Sequence, residues 1–236
     1  MDHESITVRP ASHRRPRPGV RTRRARLRMR RTLAALGPRV RRAIDVGTTA
    51  LGLLVIAPLL AVAALAIKLS SPGPVFFRQE RLGQHGRRFT MWKLRTMYVD
   101  AESRKAALEK EHEGALDGGR FKLQRDPRIT SVGGLLRKLS IDELPQLFNV
   151  LVGDMTLVGP RPPVWREVAG YAPRALRRLE VRPGLTCLWQ IGGRSDLSFA
   201  EQVDLDLAYI DTTRPSEELL IVAKTIPAVL TGRGAY

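Results

Sequence analysis

Residues 140–162 read SIDELPQLFNVLVGDMTLVGPRP, and the placement of two features within them decides the fold and the chemistry. An acidic pair, Asp142-Glu143, stands at a predicted helix start. About one helix later comes Gly159-Pro160-Arg161-Pro162, a rigid turn able to hold out a guanidinium. A carboxylate nucleophile and a nearby phosphate clamp belong together on a substrate that carries phosphate. Ser140 and Glu143 match the capping box S-x-x-E. Pro145 argues against that box. With Ser140 as cap, Pro145 would be the fifth helical residue, where its missing N–H breaks a bond. With Asp142 as cap, Pro145 falls in the first turn, where N–H groups are unpaired anyway. Asp142 is therefore expected at or next to the helix N-terminus. It serves there either as a plain N-cap or as a carboxylate kept ionised by the helix dipole.

Upstream, residues 46–67 read VGTTALGLLVIAPLLAVAALAI without a charge, bounded by Asp45 and Lys68. As a helix these 22 residues reach roughly 33 Å, enough to span a bilayer. The stretch is too long and starts too far in for a signal peptide. Arg39, Arg41 and Arg42 precede it. Lys68, Arg78, Arg81, Arg87, Arg88, Lys93 and Arg95 follow, against one acid, Glu80. The positive-inside rule keeps both flanks cytoplasmic. Pro58, at the middle, favours a kink at Ala57-Pro58. A re-entrant helix bent there, entering and leaving through one leaflet, satisfies both facts. An ordinary kinked span remains the alternative.

The net charge of +17 is unevenly spread: residues 1–42 hold fourteen Arg against Asp2 and Glu4, a local +12. Such a tail, poor in apolar residues, is expected to be disordered until it meets a partner. Anionic lipid of the inner leaflet is the partner expected from the neighbouring apolar segment. No nucleic acid is expected, because almost no aromatics stand between the arginines for base stacking. One cysteine, Cys187, excludes an internal disulfide and fits a reducing compartment. His3, His13, His85 and His112 have no metal-ligand spacing, and neither a Walker loop nor a nucleotide-binding GxGxxG is present.

After the stop and turn at Ser71-Pro72-Gly73-Pro74, residues 75–97 read as two short strands around a turn at Gly83 to Gly86. Lys93 and Arg95 share a face of the second strand, either solvated or lining a phosphate site. Asp100 to Glu113 reads as a solvated surface helix, broken at Asp117-Gly118-Gly119. Further helices are expected at Ser131–Leu139, with Arg137 and Lys138 near its end, and over Asp142–Val152.

Seven stretches together carry a resemblance. They are the apolar segment with Pro58, SPGPVFFRQERLG (71–83), FTMWKLRTM (89–97), DPRITSVGGLLRKLSIDELPQLFNV (126–150), GDMTLVGPRP (153–162), RPGLTCLWQIGGRSDLSF (182–199) and TIPAVLTGRGAY (225–236). From about Arg42 to Tyr236 the chain resembles the bacterial sugar transferase family, the monotopic polyprenyl-phosphate phosphoglycosyl transferases. The resemblance implies an α+β, mainly helical protein. It would have a basic tail over 1–42, a re-entrant membrane helix over 43–70 and a compact cytoplasmic catalytic domain with a short β-hairpin over 71–236. It also implies transfer of a sugar 1-phosphate from a UDP-sugar to undecaprenyl phosphate at the cell membrane, with UMP released, as a first step of exopolysaccharide or glycan assembly. The family's acidic pair falls on Asp142 and Glu143, its phosphate contacts on Arg137 and Arg161, and its metal is Mg²⁺, for which the pair would be the ligands.

Two departures stand out. Ala57 replaces a frequent serine before the membrane proline, and DTTRPSEE (211–218) replaces a stretch usually carrying Trp and Leu. The expected mechanism has Asp142 attack the sugar-bearing phosphate, giving an acyl phosphate that the polyprenyl phosphate then displaces. Glu143 is expected to complete the metal shell or orient the acceptor. Direct ternary transfer, and a non-catalytic basic membrane-anchored binding protein, are the rival readings. The sugar and the oligomeric state, homo-oligomer included, are left open by the sequence.

Overall fold

The computed structural model describes residues 19–111, 116–117, 120–121, 123, 126–193, 196–212 and 215–231, with backbone alone over 19–36, 38, 116–117, 120–121, 215–216 and 230–231. The expected disordered tail lies, for residues 1–18, outside the described residues. The chain divides into two units, 1–41 and 42–236. Helix α1, Gly19–Ser70, already includes most of the arginine-rich stretch. Arginine, alanine and leucine are good helix formers, so charge alone does not forbid a helix there.

Within the second unit, the backbone stays helical through Ala57-Pro58 to Ser70. Residues 39–70 form a helix long and apolar enough to cross a membrane. Its outward side chains are apolar: Leu51, Leu54, Val55, Val62, Leu65 and Leu69 are all exposed. The buried positions lie near its ends, at Asp45 and Thr49, then at Ala63 and Ile67. Ala63 and Ile67 pack with Leu94 and Leu136. Burying a side chain such as Ile67, 2% exposed, contributes on the order of 2 kcal/mol.

The helix meets the rest of the unit through guanidinium–carbonyl contacts at both ends. Arg42 Nη1 donates to the Val150 carbonyl and its Nη2 to that of Leu151, at 2.6 Å. Beyond Ser70, Arg95 Nη2 donates to the Ser71 carbonyl at 2.8 Å and its Nη1 to that of Pro72. These contacts bring side-chain donors to carbonyls at a helix end and a turn, where backbone donors run short.

The antiparallel hairpin is as the sequence predicts. Strands β1, Phe76–Leu82, and β2, Arg88–Leu94, pair with Phe77 opposite Lys93 and Arg81 opposite Phe89. Helix α2, Ala101–Glu111, is the expected charged helix. A two-residue ladder, β3 Leu116–Asp117 with β4 Arg120–Phe121, follows. Helix α3, Ser131–Lys138, is capped by Thr130, whose hydroxyl accepts from the Gly133 N–H.

Helix α4 is shorter than expected, Gln146–Val152, with Pro145 as its N-cap residue. Asp142 and Glu143 lie before it in a 3₁₀ turn, Ile141–Glu143. Asn149 of α4 pairs with the edge of β2. Its amide donates to the Thr90 carbonyl at 2.7 Å and accepts from the Trp92 N–H at 3.1 Å. Strand β5, Thr156–Val158, pairs in parallel with β6, Gly184–Thr186. Helices α5, Trp165–Ala169, and α6, Pro173–Leu176, make the crossover. Helices α7, Leu188–Gly192, α8, Phe199–Thr212, and α9, Pro215–Thr231, close the unit around Val158, Tyr209 and Ile221. Neither the parallel pair nor α5 to α9 is legible in the residue pattern alone.

Candidate active site

The acidic turn is built by a reversal between α3 and α4. Ser140 adopts left-handed geometry, φ 52°, and its side chain makes no capping bond. The capping box is therefore not formed, and Pro145 rather than Asp142 caps α4. The turn closes instead through the Glu143 N–H to the Ser140 carbonyl, 3.2 Å, and Leu144 N–H to the Ile141 carbonyl, 3.2 Å.

Basic side chains from three elements converge on this turn. Lys93 of β2 places Nζ 2.7 Å from Glu143 Oε1. Arg161 of the proline-flanked turn places Nη1 3.3 Å from the same oxygen. Arg137, near the end of α3, is held by a bond from its Nε to Thr96 Oγ1, 3.2 Å, and lies close enough to favour the ionised form of Asp142. Asp142 itself is buried, 6% exposed.

The neighbouring carboxylates are driven in opposite directions. Burial pushes Asp142 up to about 6, aided by the like charge of Glu143 and opposed by Lys93, Arg137 and Arg161. The helix dipole therefore does not decide its ionisation, as the sequence suggested. Burial would raise Glu143 too, but Lys93 and Arg161 outweigh it and hold Glu143 below the usual carboxylate range. A carboxylate so held is a poor base. Its geometry makes it the spacer between two cations. Burial also lowers Lys93, against the pull of Glu143.

The Gly159-Pro160-Arg161-Pro162 turn is fixed from both sides. Gly184 N–H donates to the Pro160 carbonyl at 3.0 Å, and Gly159 N–H to that of Thr186 at 3.0 Å. A Cβ on Gly184 would stand 2.0 Å from the Gly159 nitrogen, so only glycine permits this approach. From the other side, Arg81 Nη1 donates to the Pro162 carbonyl at 3.0 Å and Leu82 N–H to that of Pro163 at 2.9 Å. Tyr209 completes the seat, its hydroxyl donating to the Val158 carbonyl at 2.9 Å.

Of the basic residues singled out by sequence, Lys93, Arg137 and Arg161 are brought to the acidic pair. Arg95 is not: past the end of β2 its guanidinium turns to the Ser71 and Pro72 carbonyls. Sequence reasoning missed Arg81, buried between Pro162 and Glu167, whose Oε1 is 3.9 Å away. Strand alternation was the available signal, since Arg81 shares the inward side of the hairpin with Phe89 and Met91.

The donor set accommodates Mg²⁺ in one way. Among the described residues no group of three His, Cys, Asp or Glu could hold a metal. Two adjacent carboxylates are nevertheless enough for an ion that keeps waters and takes substrate phosphate oxygens for its remaining positions.

The sequence pattern of the bacterial sugar transferase family matches residues 37–232. The chain is 42% identical over 203 residues to the exopolysaccharide production protein ExoY of Rhizobium meliloti, covering 85% of this chain and 90% of that one. It is 43% identical over 205 residues to the UDP-glucose:undecaprenyl-phosphate glucose-1-phosphate transferase of Caulobacter vibrioides, covering 83% and 72%. It is 37% identical over 213 residues to the undecaprenyl-phosphate galactose phosphotransferase of Salmonella typhimurium, covering 89% of this chain and 44% of that protein. With its acidic turn and the cations around it in place, the chain belongs to the bacterial sugar transferase family and is a phosphoglycosyl transferase.

Proposed function

We propose that the protein transfers a sugar 1-phosphate from a UDP-sugar to undecaprenyl phosphate at the cytoplasmic face of the cell membrane, in exopolysaccharide assembly. The observation that carries this reading is the convergence of Lys93, Arg137 and Arg161 on the Asp142-Glu143 turn. Two carboxylates amid three cations suit a diphosphate whose phosphorus must meet an anionic nucleophile. The Caulobacter vibrioides and Salmonella typhimurium relatives are named for transfer to undecaprenyl phosphate and supply the substrate class.

In the first step a carboxylate oxygen of Asp142 attacks the phosphorus bearing the sugar. The bridging P–O bond breaks, and its oxygen and electron pair leave with UMP. The phosphosugar remains on Asp142 as an acyl phosphate. In the second step a phosphate oxygen of undecaprenyl phosphate attacks the same phosphorus, and Asp142 leaves as carboxylate. Arg161, held through its own backbone, and Arg137 bind the equatorial oxygens. Glu143 spaces Arg161 from Lys93. Mg²⁺, held by the acidic pair together with the diphosphate, would neutralise charge on the phosphates.

The membrane arrangement follows from contacts at the two ends of the apolar segment of α1. A straight crossing would place Arg42 and Ser71 on opposite sides of a hydrocarbon layer of about 30 Å. Yet Arg42 bonds α4 and Ser71 bonds Arg95 within one unit. Return of the helix to one leaflet, bent about Pro58, reconciles those contacts with basic flanks on both sides. The basic residues 1–42 then lie against anionic lipid of the inner leaflet.

The test is UMP release from a panel of UDP-glucose, UDP-galactose and UDP-N-acetylhexosamines, with undecaprenyl phosphate and Mg²⁺. One donor is expected to give UMP and a lipid-linked diphosphate sugar. Absence of UMP from every donor would leave a membrane-anchored binding protein.

A further inference from the structure

Arg161 and Arg137 are seated in different ways. Arg161 is fixed through the backbone of its own turn. Arg137, near the end of α3, is fixed at its guanidinium: Nε donates to Thr96 Oγ1 at 3.2 Å. Among the described residues its two terminal nitrogens have no hydrogen-bond partner. A guanidinium is a rigid planar fork. With its Nε edge held by Thr96, the terminal pair is left for a phosphate, which takes such a fork in bidentate contact. Burial lowers the Arg137 pKa, against the pull of Asp142, Asp126 and Glu143. The carboxylates of the acidic turn are therefore within electrostatic reach of this guanidinium.

Thr96 is itself held in place and is 7% exposed. Its carbonyl accepts from the Thr130 N–H at 3.0 Å and from the Thr130 hydroxyl at 3.4 Å. The same hydroxyl accepts from the Gly133 N–H at 2.9 Å and so caps α3. A Cβ on Gly133 would collide with the Thr96 carbonyl, which makes this glycine the point where α3 comes closest. Arg137 lies four positions on, one turn along the same face of α3. On either side of Thr96, the Arg95 N–H donates to the Val75 carbonyl at 2.8 Å, and Met97 bridges to Ile129. The cap of α3, the glycine that admits the close approach and the arginine thus all meet one threonine.

We propose that Thr96 is a positioning residue for the transfer: its hydroxyl holds the Nε edge of Arg137, so that the terminal fork is already aimed at the phosphate bearing the sugar. The proposal rests on the reading of Arg137 as a phosphate contact and adds the group that orients it. Without this bond a long, flexible side chain has to be ordered each time substrate arrives, at a cost in rotamer freedom. The two functions of Thr96 are separable. Its carbonyl, which any residue supplies, belongs to the packing of α3. Its hydroxyl belongs to Arg137.

Thr96→Val keeps size, β-branching and the backbone carbonyl, and removes the acceptor. Thr96→Ser keeps the oxygen and removes the methyl group. The readout is kcat/KM from UMP release with undecaprenyl phosphate and Mg²⁺. The donor is whichever of UDP-glucose, UDP-galactose and the UDP-N-acetylhexosamines the unaltered chain uses. Thr96→Val is expected to lose about tenfold and Thr96→Ser to stay within about twofold of the unaltered chain. The second arm repeats Thr96→Val in an Arg137→Lys chain. An ammonium has no second edge to aim, so the further loss there is expected to be under about twofold.

An equal loss from Thr96→Val in both backgrounds would overturn the proposal, because a packing defect multiplies whatever stands at position 137. Equal losses from Thr96→Ser and Thr96→Val would overturn it too, assigning the effect to the shape of the side chain. So would wild-type kinetics for Thr96→Val. Should the valine chain fail to accumulate, Thr96→Cys offers a weak acceptor in its place. About threefold loss is expected of it beside Arg137 and none beside Arg137→Lys, and the same value in both would again overturn the proposal. Wild-type turnover by Arg137→Met would instead take Arg137 out of the phosphate site, and the proposal with it. Absence of UMP release from the unaltered chain would defeat the proposed function as a whole.

Discussion

The acidic turn and the apolar helix are tied into the same unit by different interactions. At the turn, side-chain charges meet side-chain charges: Lys93 and Arg161 close on one oxygen of Glu143 while Asp142 is left with a raised pKa. At the helix ends, guanidiniums meet neutral backbone carbonyls: Arg42 on Val150 and Leu151, Arg95 on Ser71 and Pro72. The first arrangement responds to pH and to an arriving polyanion, because every partner is ionisable. The second does not, because a carbonyl has no charge to change. One chain thus keeps its chemistry adjustable and its anchorage fixed.

The largest effect is expected at Asp142. Asp142→Asn keeps size and burial and removes the nucleophile. Turnover is expected to fall by about 10³-fold or more, as loss of a catalytic nucleophile does. Near-normal UMP release from purified Asp142→Asn would refute the assignment.

Arg161 comes next. Its backbone is gripped through Pro160 and Pro162, so its fork is pre-organised in a way an ammonium does not copy. Arg161→Lys is expected to lose about 10²-fold in kcat/KM, nearly as much as Arg161→Ala. Wild-type kinetics for the lysine variant would reduce Arg161 to a structural role.

The smallest effect is a shift in pH. Only ionised Asp142 attacks, so activity is expected to rise with pH through about 6, the value to which burial brings this group. Lys93 lowers that value and Glu143 raises it. Lys93→Met should therefore move the acidic limb to higher pH, and Glu143→Gln to lower pH. A limb unmoved by either substitution, read from kcat/KM profiles at fixed ionic strength, would show that Asp142 does not set it.

Local rules made much of this legible. The hairpin of 76–94 follows from alternation and a glycine turn, and α3 falls within the helix expected over Ser131–Leu139. Arg137 and Arg161, singled out by the family resemblance, and Lys93, which the strand pattern left either solvated or facing a phosphate, converge on the acidic pair. What failed depended on contacts distant in sequence. Arg95 shares its strand face with Lys93, but the chain leaves β2 after Leu94, so alternation no longer governs where it points. Ser140 matches a capping box, yet its left-handed backbone carries the reversal between two helices instead. The parallel pair β5–β6 rests on Gly159 and Gly184 meeting across twenty-five positions, which no local period reports. Arg81 and Arg42 acquire their roles from carbonyls eighty or more residues away.

The central claim is the covalent step at Asp142, and trapping tests it most directly. The enzyme is mixed with a UDP-sugar labelled in the sugar, with Mg²⁺ and without undecaprenyl phosphate, then quenched and digested. UMP release stoichiometric with enzyme is expected, with a phosphosugar on the peptide containing Asp142 that is discharged when undecaprenyl phosphate is added. UMP release that requires the lipid acceptor from the outset, with no adduct on that peptide, would contradict the covalent step and assign the reaction to direct transfer.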